Sequence, residues 1–346
     1  MPPPIEKSDL SESVATSTEE TLATDDNKEK SLRPRTLDQY IGQEKLKKIL
    51  NITLHAAQKR GDLSSLGHIL LYGEPGLGKT SCALLLAEMI GSRGHVLSAP
   101  SIDKPKDIIG ILLSIREGDV LFIDEIHRLN KITEEMLYPA LEDFCLDLST
   151  GKGVTTQVTR MPLAKFIFIG ATTKLGMLSA PLRDRFTQIY HMQPYSTAEL
   201  GQIALRTAKI LDFELSEQSA EILAKAARGT PRIVNRLCRL LRDYMLYQGA
   251  DNAHQELAYQ TLKIFEIDER GLDPIDRELL LTIIDKYNGG PVGLDTLAAS
   301  LGQDAHTIED FHEPFLLRQG FLERTPKGRK ASLAAYRYLQ RDIFSA

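Results

Sequence analysis

The chain has no tryptophan, few aromatic residues and only three cysteines among its 346 positions. Cys82, Cys145 and Cys238 are far apart, odd in number and without CxxC spacing. That excludes a disulfide-stapled scaffold and a thiolate zinc site, and it fits a reducing cytoplasmic compartment. No apolar run approaches the ~20 residues of a membrane-spanning helix. The first residues have no apolar core for a secretory signal and too many acids for an organellar transit peptide. An excess of basic charge is also missing, the formal net charge being −5. The deficit is local. Residues 1–30 hold eight acids against three lysines, and the remainder balances at 39 acidic and 39 basic residues. With eight Ser/Thr and a Pro-Pro-Pro start, 1–30 reads as a disordered acidic tail. Global charge therefore says nothing about partners, and local clusters must be read instead.

What is present is more specific. The stretch GEPGLGKT, from Gly73 to Thr80, follows the apolar run HILLYG and precedes KTSCALLLAEMIG, which has helical spacing and a terminal Gly91. A glycine-rich turn between a strand and a helix lets backbone N–H groups wrap a polyphosphate at the positive end of the helix. Gly73, Gly76 and Gly78 supply the turn, Lys79 the cation for the β- and γ-phosphates, and Thr80 a hydroxyl for Mg²⁺. This chemistry predicts an ATP site.

A second apolar strand, DVLFIDE (119–125), ends in two carboxylates. So apolar a strand is expected at the centre of a parallel sheet, with its C-terminal end at the ligand. Asp124 is placed to bind Mg²⁺ through water, and Glu125 to act as general base on the attacking water, which distinguishes hydrolysis from passive binding. A third strand, KFIFIGATT (165–173), ends in small polar residues. SAPLRDRF (179–186) then places Arg183 and Arg185 in a short loop, where either could stabilise a γ-phosphate or make a surface ion pair.

The order GEPGLGKT, LFIDEIH, GATT, PLRDRF, GTPR resembles the AAA+ ATPases. LRPRTLDQYIGQ, EEMLYPALEDF, GATTKLGMLSAPLRDRF, RGTPRIVNRL, GGPVGLDTLAASLG and GFLERTPKGRK narrow the resemblance, over about 31–340, to the RuvB family of Holliday-junction branch-migration motors. The family commonly has Pro where Glu74 stands. The resemblance implies an α/β P-loop AAA+ large domain with a parallel sheet and flanking helices (31–196), an all-α lid (197–268) and a C-terminal winged-helix domain (269–346). It implies that Leu32, Arg33, Tyr40 and Ile41 wrap the base, and that Gly76, Gly78, Lys79, Thr80 and Ser81 contact phosphate and metal. Thr172 matches the polar γ-phosphate sensor. Glu142, Asp143, Phe144 and Tyr195 fall where the family touches nucleotide, and Arg232 matches the second sensor. Arg185 matches the arginine finger given to a neighbour, with Arg183 the structural partner. A finger acting in trans implies head-to-tail contacts closing into a homohexameric ring.

Residues 197–267 are helical in pattern, with Thr197 and Ser216 expected as caps and a dense arginine series, Arg228, Arg232, Arg236, Arg239 and Arg242, expected mostly on solvent- or subunit-facing surface. Beyond GLDP (271–274) come three short helices and a hairpin, the winged-helix pattern. Residues 318–341 carry seven basic residues against Glu323 alone. Arg324, Lys327, Arg329 and Lys330 are the expected contacts to double-stranded DNA, through phosphates and not base edges. The resemblance further implies a RuvA-like partner docking on a hairpin at about 145–166, here more polar than an apolar docking tip should be, and a RuvC-like resolvase. His306 and His312 are expected on different helix faces, not as a metal pair. Clamp loading, an ATP-switched DNA-binding regulator and protein remodelling are the rival readings. The wing, the joint presence of Glu125 with Arg185, and the absence of an aromatic pore-loop motif speak against them in turn.

Overall fold

The computed structural model describes residues 32–102, 104–150 and 157–341, so the acidic tail and the centre of the 145–166 hairpin lie outside the described residues. The chain divides into two compact units, one up to residue 212 together with 230–232, the other comprising 213–229 and the chain from 233 onward.

The first unit is built on a five-stranded sheet, parallel throughout, whose strands lie in the order 94–98, 120–124, 167–172, 69–72 and 188–191. Helix α1 (Glu44–Arg60) leads into β1 (Ile69–Tyr72), α2 (Lys79–Ile90), β2 (Gly94–Ser98), α3 (Pro105–Ser114), β3 (Val120–Asp124) and α4 (Lys131–Glu142). An antiparallel hairpin, β4 (Cys145–Thr150) and β5 (Gln157–Pro162), precedes β6 (Ile167–Thr172), α5 (Ala180–Asp184), β7 (Gln188–His191) and α6 (Thr197–Ile210). Every residue of β6 is buried, as is every residue of β3 up to Asp124. Strands covered on both faces need continuous apolar sequence, and VLFI and IFIGA supply it. Leu121, Ile123, Phe166 and Phe168 form the core with Ile108, Leu112 and Leu137 from α3 and α4. The base of the hairpin is anchored there by buried Leu146, with Leu148 and Met161 packed alongside.

The cap of α6 is Ser196, not Thr197. Its hydroxyl accepts the Glu199 N–H while the Glu199 side chain accepts the Ser196 N–H at 2.7 Å, a reciprocal box that Thr197 is one residue too late to make. Ser216 caps its helix as expected, accepting the Ser219 N–H.

In the second unit, β8 (Glu214–Leu215), α7 (Glu217–Ala226), α8 (Pro231–Gln248), β9 (Asn252–Ala253) and α9 (Gln255–Ile264) precede the winged helix. That part consists of α10 (Pro274–Leu281), α11 (Leu294–Leu301), a helical stretch over 305–318, and a wing of β10 (Leu322–Thr325) and β11 (Gly328–Ala331). Leu279, Leu280, Ile283, Leu297, Phe315 and Phe321 form its core.

One arginine of the dense series departs from the surface role expected of most of them. Arg228 is only 8% exposed and lies in the left-handed region at φ 55°. Its guanidinium donates to the Gly271 carbonyl at 2.6 Å and pairs with Asp273 at 2.9 Å and Asp276 at 2.7 Å. Asp276 and His312, both buried, are 2.6 Å apart, and Arg228 lies over the Phe315 ring. Asp273, Asp276 and His312 have the donor types of a metal site, yet Arg228 already supplies the positive charge there. His306 is exposed and takes no part. Arg228 thus joins the helices before residue 229 to the start of the winged helix. Arg228→Ala leaves a buried carboxylate without its cation. It is expected to cost about 3–5 kcal/mol, read as a lowered midpoint for this unit in calorimetric or denaturant unfolding.

Candidate functional site

The parallel register brings three strand ends to one edge. Tyr72 pairs with Thr172, Ile123 with Gly170, and Ser98 with Asp124, so the P-loop, the acidic pair and the threonines leave the sheet together. In the P-loop, Gly76 has φ 82° and a Cβ there would meet the Thr230 methyl at 2.7 Å and Arg232 Cβ at 3.0 Å. Gly78, at φ 94°, is the N-cap of α2, and a Cβ there would meet the Tyr40 hydroxyl at 3.3 Å. Only glycine lets the loop lie this close to its neighbours. The Lys79 ammonium is nearly buried and donates to the carbonyls of Gly73 and Glu74 at 2.9 and 3.0 Å. Burial lowers its pKa, with Glu125 and Asp124 acting in the opposite sense. Glu74 contributes to this contact through its backbone, which explains why a residue other than Pro serves there.

The Thr80 hydroxyl donates to Asp124 Oδ2 at 3.1 Å, and Asp124 Oδ1 accepts the Glu125 N–H at 3.0 Å. A hydroxyl and a carboxylate held together are the hard oxygen donors that Mg²⁺ takes, so the residues fit the expected ion. Glu125 adopts φ 50° and its Oε2 accepts from the Thr173 hydroxyl at 3.1 Å, with His127 Nδ1 at 3.3 Å. The threonine that touches the general-base candidate is therefore Thr173. Thr172 is fully buried, 2.8 Å from His127 Nδ1, and reaches Glu125 only through that ring. The two threonines thus approach the same Glu125–His127 pair, Thr173 at the carboxylate and Thr172 at the ring. The resemblance singles out Thr172 as the polar sensor and gives Thr173 no role.

Around the P-loop, Tyr40 and Tyr195 are both buried, and the Tyr195 hydroxyl donates to the Leu77 carbonyl at 3.3 Å. Leu32 is buried and its carbonyl accepts from Arg206 at 2.8 Å, an anchor that sequence reasoning missed and no motif signalled. Ile41 and Ser81 are half-buried, while Arg33 and Arg232 are exposed, with the Arg232 N–H donating to the Gly76 carbonyl at 3.4 Å. Tyr40, Tyr195 and Arg232 thus meet the P-loop directly. Glu142, Asp143 and Phe144 make other contacts. Glu142 pairs with Arg185 at 3.0 Å, Asp143 with Arg160 at 3.3 Å, and the Phe144 ring packs on His68 and Phe166. Among the described residues the ion pair of this loop is made by Arg185 and not by Arg183.

On the wing, Arg324 and Arg329 face each other across the hairpin and both hold Glu313, which is fully buried. Burial by itself would raise the Glu313 pKa, but the two arginines hold it below the usual carboxylate range. Its contribution to stability is thus present above that range and lost as pH falls through the depressed value. Arg329 is largely covered, Arg324 is half open and also reaches Glu309, and Lys327 and Lys330 lie on the same hairpin. Removing both arginines would leave Glu313 buried without a cation, so the lysines are the cleaner probes of an anion-binding role.

Three family models match in succession: the Holliday junction DNA helicase RuvB P-loop domain over residues 32–192, the RuvB AAA lid domain over 195–268, and the RuvB C-terminal winged helix domain over 269–340. The chain belongs to the RuvB family. The Holliday junction branch migration complex subunit RuvB of Rippkaea orientalis is 51% identical over 90% of this chain and 86% of its own length. The RuvB of Synechocystis is 50% identical over 91% and 86%. Among solved structures, the Thermotoga maritima RuvB Holliday junction branch migration motor aligns with a TM-score of 0.81 at 45% identity, covering 90% of this chain and 99% of that one. Membership makes this a P-loop ATPase.

The contact between Thr173 and Glu125 gives a direct test. Thr173→Val removes the hydroxyl while keeping the shape, and is expected to lower kcat for ATP about 10- to 100-fold with nucleotide affinity nearly unchanged, read by steady-state turnover beside equilibrium nucleotide binding.

Proposed function

We propose that the chain is the ATP-driven motor of Holliday-junction branch migration, acting as a homohexameric ring that draws duplex DNA through the junction during recombination and repair. The observation that carries this reading is the convergence of Thr80, at the start of the P-loop helix, with Asp124, Glu125 and Thr173 at adjacent strand ends, in a chain that carries a basic winged helix. Lys79 and the P-loop N–H groups bind and orient the triphosphate. Glu125, aligned by Thr173 and His127, accepts the proton of the attacking water. Thr80 and Asp124 hold Mg²⁺, which neutralises phosphate charge when bound. Arg185 acts on the site of the adjacent subunit. The 145–166 hairpin, rooted through Leu146, is the surface for a RuvA-like junction-binding protein, and a RuvC-like resolvase completes the assembly. An ATP-switched DNA-binding regulator would bind nucleotide equally well but has no use for an aligned base at Glu125.

Turnover on a synthetic four-way junction with the RuvA-like partner is expected to rise above the DNA-free rate, with separation of the junction into duplexes. Glu125→Gln and Arg185→Ala should each reduce both by at least about 10³-fold. Turnover indifferent to junction and partner would exclude the motor reading while leaving ATPase activity in place.

The wing carries its own expectation. Lys327→Ala together with Lys330→Ala should weaken duplex binding uniformly across sequences and flatten the log–log salt slope by about 2 per chain, at unchanged DNA-free turnover. Fluorescence anisotropy across a salt series reads it, and an unchanged slope would place the DNA contact elsewhere.

A further inference from the structure

Helix α4 carries Glu134, Tyr138 and Glu142 at successive intervals of four, which puts them on one face. All three meet the 179–185 segment. The Ser179 hydroxyl donates to Glu134, as does the Tyr138 hydroxyl at 2.6 Å. The Arg185 guanidinium lies over the Tyr138 ring, 4.2 Å from its centroid. Its Nη2 pairs with Glu142 Oε2 at 3.0 Å, and its Nη1 donates to the Pro181 carbonyl at 2.5 Å. Only 16% of the Arg185 side chain is exposed, and its Nε is buried with no hydrogen-bond partner among the described residues. The guanidinium is thus folded back on its own chain with its charge satisfied and one of its donors unmet. A phosphate, which accepts two N–H bonds in parallel, is the better partner for that fork.

We propose that Glu142 and Tyr138 are positioning residues that store Arg185 on its own subunit and yield it when a neighbouring triphosphate replaces Glu142 as the anion. The proposal rests on the reading of Arg185 as a group acting in trans. The Glu142 side chain is 57% exposed, so the ion pair is weak and screened by salt. The ring contact is of similar size. Loss of either therefore shifts the balance between stored and released finger about two- to fivefold, not by orders of magnitude.

Subunit mixing tests it. Arg185→Ala chains keep a competent site and lack the finger; Glu125→Gln chains keep the finger and lack the base. ATP turnover in the mixture then reports fingers of the second chain on sites of the first. Tyr138→Leu or Glu142→Gln, added to the Glu125→Gln chain, should raise that turnover about two- to fivefold at low salt. The Glu142→Gln gain should vanish near about 1 M salt. Tyr138→Phe keeps the ring and should restore the parent level. Tyr138→Leu placed instead on the Arg185→Ala chain should change nothing. A fall in turnover, no response to either substitution, or an equal response from the finger-less chain overturns storage while leaving the finger in trans intact. A mixture no more active than its components overturns the finger itself, and the proposal with it.

Discussion

The register of the parallel sheet is the constraint on which the site depends. With β6 between β1 and β3, the ends at Tyr72, Asp124 and Thr172 lie at one edge, and the P-loop, the acidic pair and the threonines leave from it. A shift of one residue in any of these pairings would turn Asp124 or Thr172 to the opposite face. Slippage that drew β3 inward would carry the Asp124 carboxylate toward the core formed by Leu121, Ile123 and Phe168, at the cost of desolvating it. Pre-alignment at the edge is what lets Thr80 meet Asp124 and Thr173 meet Glu125 without rearrangement.

In the second unit the organising role passes from apolar packing to buried charge. Arg228 with Asp273, Asp276 and His312, and Glu313 with Arg324 and Arg329, are two ionic clusters within one small domain. Buried ion pairs contribute little net stability over apolar replacements, but they tolerate almost no displacement of one partner from the other. Here they fix the helix-to-wing geometry. One cluster ties residue 228 to the first winged-helix turn, and the other ties the wing hairpin to the helical stretch before it. The basic residues of the wing are thereby held on a hairpin braced against the helical stretch.

Arginine serves three different purposes in this chain, and burial distinguishes them. Arg228 is enclosed by several anions and is structural. Arg206, spending a donor on the Leu32 carbonyl, anchors the segment that leads into the large domain. Arg185 is covered but incompletely bonded, held by one exposed carboxylate, the Pro181 carbonyl and one ring face. Identical side chains thus range from fixed to releasable according to how many of their donors are met and how far the partner is from water.

The sequence by itself determined whatever local pattern encodes. GEPGLGKT between an apolar run and a helical one, two carboxylates closing DVLFIDE, and three short helices before a Pro-Lys-Gly hairpin each specify an element and its chemistry within a few residues, because backbone conformation and alternation act at that range. Tertiary structure decided the partners. Thr173 rather than Thr172 reaches Glu125 across 48 residues, Arg228 finds Asp273 across 45, and Arg324 and Arg329 share the buried Glu313. Such pairings have no spacing rule. They arise where folding places a charged or hydroxyl-bearing side chain out of reach of water and obliges it to find a counterpart.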